Sequence, residues 1–407
     1  MGIMNAVGPA QKLTNDKTLL IPGPTEVAPD ILRGMSSPVP AHYMDEWVSL
    51  YRDTLRMLQE LLQTKNTAFI MTGSSSVSLE GAMCSLVEPG DKVIADEGFA
   101  DYVKLQGGNV TDVTPFPGRT IDPGAIQEKL RKEKDVKVVA VIHNVTWTGV
   151  TNPIHLIGEI ANDEGAIFVV DAVSSIGGIE IKMDDWHVDV VASGSQKALA
   201  VPPGIAPVAV SKKAWETIES RKETIRSAYL NFLRYRNPPI DPVWKWHPTP
   251  TTPSTTLIRA LHQSLEKILL EEPANVFRRH KGSGRAVRAA FEAAGMKILV
   301  SEEKYASNTV TAILWPESYD YAAFWRTLYK KYSLMIGNPP EQSFHPIEGK
   351  RIFRIGHMGN TASPDYLLPA LSKIEAALTA IGYPVSPGIM LEAAQKVFFT
   401  EYNRTLA

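Results

Sequence analysis

Between residues 67 and 211 short apolar runs alternate with amphipathic segments, and no other feature constrains the fold of this chain as much. The runs are Ala68–Met71, Lys92–Ala95, Val136–Ile142, Ile167–Val170, Val188–Ala192 and Ala206–Val210. Each has strand length and is apolar almost throughout, so both of its faces need cover. Helices are expected in the gaps, for instance over Val77–Val87, Gly124–Arg131 and Pro153–Asn162. The pattern predicts an α/β fold with a mostly parallel sheet between helical layers. Ligands of such sheets bind beyond the carboxyl ends of the strands. Chemistry is therefore sought just after each run.

The flanking segments suggest a second unit. A short apolar run, Leu19–Ile21, breaks at Pro22-Gly23-Pro24, and apolar spacing over about 46–64 reads as an amphipathic helix. A Pro-rich stretch from Asn237 to Pro253 holds Trp244, Trp246 and His247. A long helix is expected from about Thr255 to Ala294, then strands near Lys297–Val300, Val310–Leu314 and Ile352–Ile355, and a tail helix over Met390–Tyr402. A length of 407 residues suits two or three domains. The expected division is a loose arm (1–18), a large domain (19–255) and a smaller α/β domain (256–407).

Charge and cysteine content narrow the partners. Lys and Arg number 42 against 44 Asp and Glu, so no basic surplus exists to neutralise nucleic acid. No apolar run approaches the ~20 residues that span a bilayer. The single cysteine, Cys84, excludes an internal disulfide and any multi-cysteine metal site. The first 17 residues hold no stretch of signal-peptide character, so a cytoplasmic, reducing setting is expected. No metal is expected: the histidines, His42 and His143 among them, lack ligand spacing and read as core or substrate-lining residues.

Four features stand at strand ends. Lys197, in Gly194-Ser195-Gln196-Lys197, lies between the apolar pairs Val191-Ala192 and Ala198-Leu199. A lysine desolvated in this way has a lowered pKa and can form an imine with an aldehyde; otherwise it is a solvated surface cation. Asp171 ends the run Ile167–Val170. It can partner a pyridinium nitrogen or serve as a helix cap. Thr72-Gly73-Ser74-Ser75-Ser76 follows a strand and opens a helix, which suits a phosphate or a simple capping box. Arg354 lies between Phe353 and Ile355, where its charge needs an internal carboxylate or a substrate carboxylate.

Taken in order, these elements resemble the class V aminotransferases of fold type I, which use pyridoxal 5′-phosphate. The similarity is greatest to the alanine–glyoxylate and serine–pyruvate group. It rests on Pro22-Gly23-Pro24, Thr72–Ser76, Thr148-Gly149-Val150, Asp171–Gly178, Ser193–Leu199 with Pro202-Pro203-Gly204, and Arg354-Ile355-Gly356. The resemblance implies a seven-stranded, mostly parallel sheet with a smaller C-terminal domain. It implies Lys197 as the lysine that forms the aldimine and Asp171 as the partner of the ring nitrogen. Val173 and Phe99 would cover the two ring faces, and Thr146 would meet the phenolic oxygen. Ser74, Ser75, Ser76 and Gln196 would bind the phosphate, with Thr252 of a second subunit in a shared homodimeric site; Thr249 or Thr251 could share that part. Gly23 would lie near the substrate, Arg354 would hold its carboxylate, and Trp147, His42 and Tyr43 would line the pocket.

The implied reaction moves an amino group from a small amino acid of the alanine or serine type to glyoxylate or pyruvate. Several positions depart from that group. Members using alanine and glyoxylate often have Ser-Gly-His where Ser74–Ser76 stand, and many relatives carry His-Arg in the region of Pro40–Tyr43, where ureidoglycine-specific relatives carry a glutamine. Trp147 is bulkier than the expected serine. Arg354–Gly359 and Thr252-Pro253-Ser254 look like pyridoxamine–pyruvate aminotransferase, which carries a glutamate in place of Ser74. Pyridoxamine–pyruvate and ureidoglycine–glyoxylate types are thus alternatives. A lyase of the same fold would need a mobile cysteine, whereas Cys84 lies in an apolar helical segment.

Overall fold

The computed structural model describes residues 17–236, 248–341 and 349–403. Most of the expected arm (1–16) lies outside them, as do Trp244, Trp246 and His247. The strands are β1 (Thr18–Leu20), β2 (Thr67–Gly73), β3 (Lys92–Ala95), β4 (Asn109–Asp112), β5 (Val136–Ile142), β6 (Asn144–Val145), β7 (Val150–Thr151), β8 (Ile167–Asp171), β9 (Val190–Ala192), β10 (Gly204–Val210), β11 (Val310–Leu314), β12 (Leu334–Ile336) and β13 (Ile352–Gly356). The helices are α1 (Pro29–Met35), α2 (Asp45–Leu61), α3 (Ser76–Leu86), α4 (Glu97–Leu105), α5 (Pro123–Lys132), α6 (Ile154–Asp163), α7 (Lys212–Glu219), α8 (Leu233–Arg236), α9 (Thr255–Leu270), α10 (Pro273–Ala293), α11 (Tyr321–Lys331), α12 (Pro364–Ala380) and α13 (Ile389–Asn403).

The main sheet has seven strands in the order β2-β10-β9-β8-β5-β3-β4, and only β10 runs antiparallel to its neighbours. Successive residues of its inner strands serve opposite faces. Val139, Val141, Phe168 and Val170 meet α2, α6 and α9 on one side. Val138, Ala140, Ile167 and Val169 meet α3, α4 and α7 on the other. This two-sided burial is why the strands read as continuous apolar runs. Ile142, Asp171 and Ala192 stand in register at the carboxyl ends of three adjacent strands.

A third core joins α10–α13 to β11, β12 and β13, and Leu20 of β1 belongs to it. β1 pairs in parallel with β12, so the first strand of the described residues is bound to the C-terminal unit. Conversely, α9 packs into the large core through Ile258, Leu261 and Leu265.

Two expectations need correction. The long helix expected from Thr255 to Ala294 is two helices, because Pro273 has no N–H to continue the ladder and Glu272 adopts a φ of 64°. Lys297–Val300 is no strand: Ile298 alone bridges Ile313, and the exposed Ser301–Lys304 segment then leads the chain away into a single turn at Glu303–Tyr305.

Candidate active site

The loop after β9 is fixed before it reaches Lys197. Ser193 Oγ donates to Pro207 O at 2.6 Å, and Ser195 Oγ donates to Pro202 O at 2.7 Å. Gly194 is needed for close approach: a Cβ there would stand 2.7 Å from both Ser75 Cβ and Gln196 Oε1. The lysine loop and the serine loop at the start of α3 are therefore in contact.

Lys197 Nζ donates to Pro22 O. Its aliphatic stem lies against Gly23, whose φ of 94° belongs to the left-handed region. Burial lowers the Lys197 amine to about 8, with the Arg354 charge acting in the same direction and Asp171 opposing both. Asp171 is pushed up to about 6 by burial, against the Val173 N–H that donates to its Oδ1 at 2.8 Å and the Lys197 charge. Lys197, Asp171 and Arg354 thus form one electrostatic group drawn from three distant parts of the chain.

The serine loop has the donors a phosphate requires. Ser75 caps α3 without a side-chain cap bond, and Ser74 and Ser76 are exposed. Gln196 Nε2 reaches Ser75 Oγ only at 3.4 Å, and Gln196 Oε1 is buried with no partner among the described residues. Helix N-terminus, hydroxyls and the loosely engaged Nε2 donor of Gln196 together fit a phosphate group. Ser254 N–H donates to Thr72 Oγ1 at 3.1 Å, so the segment holding exposed Thr251 and Thr252 is tied to β2, two residues ahead of Ser74. The Thr249 hydroxyl is buried and donates to Thr251 O at 2.9 Å.

Arg354 sits on β13 opposite Ala312, with Phe353 and Ile355 buried on the other face. Its Nε donates to Asn338 Oδ1 at 2.6 Å, and its Nη1 donates to Thr146 O at 3.2 Å. Asn338 is itself held, with Tyr321 Oη donating to its carbonyl. Asn338 escaped sequence reasoning because its contact with Arg354 depends on how β12 and β13 are placed.

Other expected site residues are placed differently. Phe99 is 0 % exposed and packs within the second core. α4 turns it inward against the sheet. Trp147 hydrogen-bonds Glu97 and packs against the cluster of Val145, Val150, Val300 and Ala306. His42 and Tyr43 form an edge-to-face pair, with ring centroids 5.1 Å apart, in the turn before α2. Val173 is buried beside Asp171.

Asp96 is a further buried carboxylate that the strand-end search passed over. It follows β3 directly, just as Asp171 closes β8, and the same rule could have found it. Its Oδ2 accepts from Ile142 N–H at 2.7 Å and its Oδ1 from Gly98 N–H at 3.0 Å. Burial raises it to about 7, with the Asp171 charge adding to the rise.

Comparison with known proteins agrees with this geometry. The family model described as Aminotransferase class-V matches residues 40–311. An uncharacterized aminotransferase of Methanocaldococcus jannaschii is 36% identical over 95% of this chain and 98% of its own. Pyridoxamine–pyruvate transaminase of Mesorhizobium japonicum is 31% identical over 93% of this chain and 95% of its own. The crystal structure of ureidoglycine–glyoxylate aminotransferase from Bacillus subtilis superposes with a TM-score of 0.86 at 31% identity, covering 94% of this chain and 98% of that one.

Proposed function

The chain belongs to the class V aminotransferases, and on that premise we propose that it transfers an amino group from a small amino acid of the alanine or serine type to glyoxylate or pyruvate. Its fold is the fold type I α/β architecture of that family. The observation that carries the reading is the Lys197 amine, lowered to about 8 beside Asp171 at the sheet's carboxyl edge. Two relatives whose names specify pyruvate and glyoxylate as acceptors support the choice of oxo acid.

Pyridoxal 5′-phosphate fits the residues present. Ser74, Ser75, Ser76 and Gln196 would hold its phosphate, Asp171 its ring nitrogen and Val173 one ring face. When bound, it supplies an electron-withdrawing ring that eases loss of the proton from the substrate Cα. Lys197 is suited to carry that proton, because an amine titrating near 8 gives up and takes back a proton at mildly basic pH, where both of its forms are present. Arg354 would orient the substrate through its α-carboxylate, with its own plane set by Asn338. The hydroxyls of Ser74–Ser76 favour a resident phosphate cofactor over an unphosphorylated vitamer as substrate. A lyase reading is disfavoured, since Cys84 is buried in α3 and burial raises its thiol pKa.

We also propose a homodimer. Leu32, Val39, Tyr43 and Met44 are 41–77% exposed within one stretch of chain, an apolar surface that a second copy would cover. That copy would bring His42, Tyr43 and Thr252 toward a shared site. No helix among the described residues is long and apolar enough to cross a membrane, and with one buried cysteine a cytoplasmic location is proposed.

The test is borohydride reduction of the cofactor-loaded protein, then peptide mapping. Label on Lys197 is expected, and label confined to another lysine overturns the assignment. A panel of amino and oxo acids, scored by cofactor absorbance, then identifies donor and acceptor. Sedimentation at nanomolar concentration checks the dimer; an active monomer rejects it.

A further inference from the structure

A cavity of about 860 Å³ opens between the large unit and α10, and its lining includes neither Lys197, Asp171 nor Arg354. Its charge is unusual. α10 carries five lysines and arginines in this region. Three are matched by carboxylates: Arg279 by Glu271, Arg285 by Glu401 and Arg288 by Glu303. The other two, Arg278 and Lys281, have no hydrogen bond or ion pair among the described residues, and both line the cavity. They stand three residues apart, so they share a helix face. Arg278 is half-buried, where an unmatched guanidinium calls for an anion.

The opposite wall adds to that demand. The first turn of α6 lines the cavity; Ile154 N–H donates to Asn152 O at 2.9 Å and Leu156 N–H to Pro153 O at 3.1 Å, which leaves the His155 N–H as the donor without a partner among the described residues. His143 lines it too; the ring is 3% exposed, and its Nδ1 meets no partner among the described residues. Burial lowers His143 to about 3. The ring is therefore neutral and able to donate one hydrogen bond without carrying charge. Two acidic side chains also line the space, but both are occupied: Glu303 by Arg288, and Glu180 by Gln63 at 3.1 Å and Lys182 at 3.8 Å.

We propose that this cavity is a second ligand site for a small polyvalent anion, bearing carboxylate or phosphate groups, seated between Arg278 and Lys281 and the N-terminus of α6. The site stands apart from the proposed reaction, yet its floor is joined to the catalytic edge: His143 N–H donates to Asp171 O at 2.9 Å.

The test is titration calorimetry on the full chain loaded with pyridoxal phosphate, so that the serine loop is already filled. Inorganic pyrophosphate and citrate are the two probes, and they separate a phosphate from a carboxylate preference. One probe molecule should bind per chain at low ionic strength, weakening as salt rises. Arg278→Ala/Lys281→Ala should weaken binding at least tenfold, equivalent to about 1.4 kcal/mol, while Arg354→Lys leaves it unchanged. Trp186 lines the cavity, so its fluorescence should change on binding and the change should vanish in Trp186→Phe. Absence of binding by the parent, an unaltered affinity in the double variant, or loss of binding in Arg354→Lys each overturns the proposal.

Discussion

A Cβ placed on Gly23 would stand 2.5 Å from Cδ and 2.9 Å from Nζ of Lys197. The glycine thus reserves the volume that the lysine side chain occupies. Gly23→Ala should push Lys197 aside and add backbone strain of about 1–3 kcal/mol at that φ. A displacement near 1 Å at a reacting group lowers turnover by about a hundredfold. Borohydride labelling of Lys197 should fall in parallel. Parental turnover with full labelling would show that the alanine is accommodated by backbone movement.

The Arg354–Asn338 contact predicts a split between binding and turnover. Asn338 has a φ of 66°, so glycine can replace it without strain while removing the amide. Asn338→Gly should raise KM for the amino donor about tenfold, because charge-assisted hydrogen bonds contribute about 1.5–3 kcal/mol. Its kcat should stay near parental. Asn338→Asp should be worse, since the new carboxylate would compete with the substrate for the guanidinium. Equal KM values in all three proteins would make Asn338 structural only.

Asp171→Asn keeps size and shape but removes the negative charge that a protonated ring nitrogen requires. The variant should still bind the cofactor, measured by absorbance, yet lose about three orders of magnitude in kcat, or ~4 kcal/mol of transition-state stabilisation. Activity within a few-fold of parental excludes Asp171 from that role.

Much of the fold and part of the site could be read from sequence, for one physical reason. Parallel strands buried on both faces must be apolar, so a carboxylate or lysine at the end of such a run stands out, as Asp171 and Lys197 do. Contacts made across the chain leave no such trace. The Pro22 carbonyl that receives Lys197 lies 175 residues from it. The same is true of the buried histidines. His280 Nδ1 bonds Val276 O while its Nε2 accepts from Gly359 N–H, which makes Nδ1 the protonated nitrogen. His357 bonds Asn308 O and Thr311 in a similar way.

Asp96 yields a prediction about pH. Its carboxyl is raised to about 7 in the folded protein, mainly by burial and further by Asp171, itself raised to about 6. A raised folded pKa means that the folded state holds the proton more tightly than the unfolded chain. The resulting stabilisation is full below about 4, the ordinary carboxyl value, and is lost as pH rises toward 7. The two carboxyls interact, so the loss belongs to the pair. In Asp96→Asn the site cannot ionise, while burial still holds the Asp171 carboxyl above its ordinary value. The amide has one acceptor oxygen for two N–H donors, Ile142 and Gly98, so one goes unpaired at a cost of about 1–3 kcal/mol at every pH. Thermal melts of the cofactor-free protein should therefore show a variant less stable than the parent at pH 5, with the gap narrowing steadily toward pH 8. Melting curves that run parallel across that range would mean that Asp96 stays ionised in the fold.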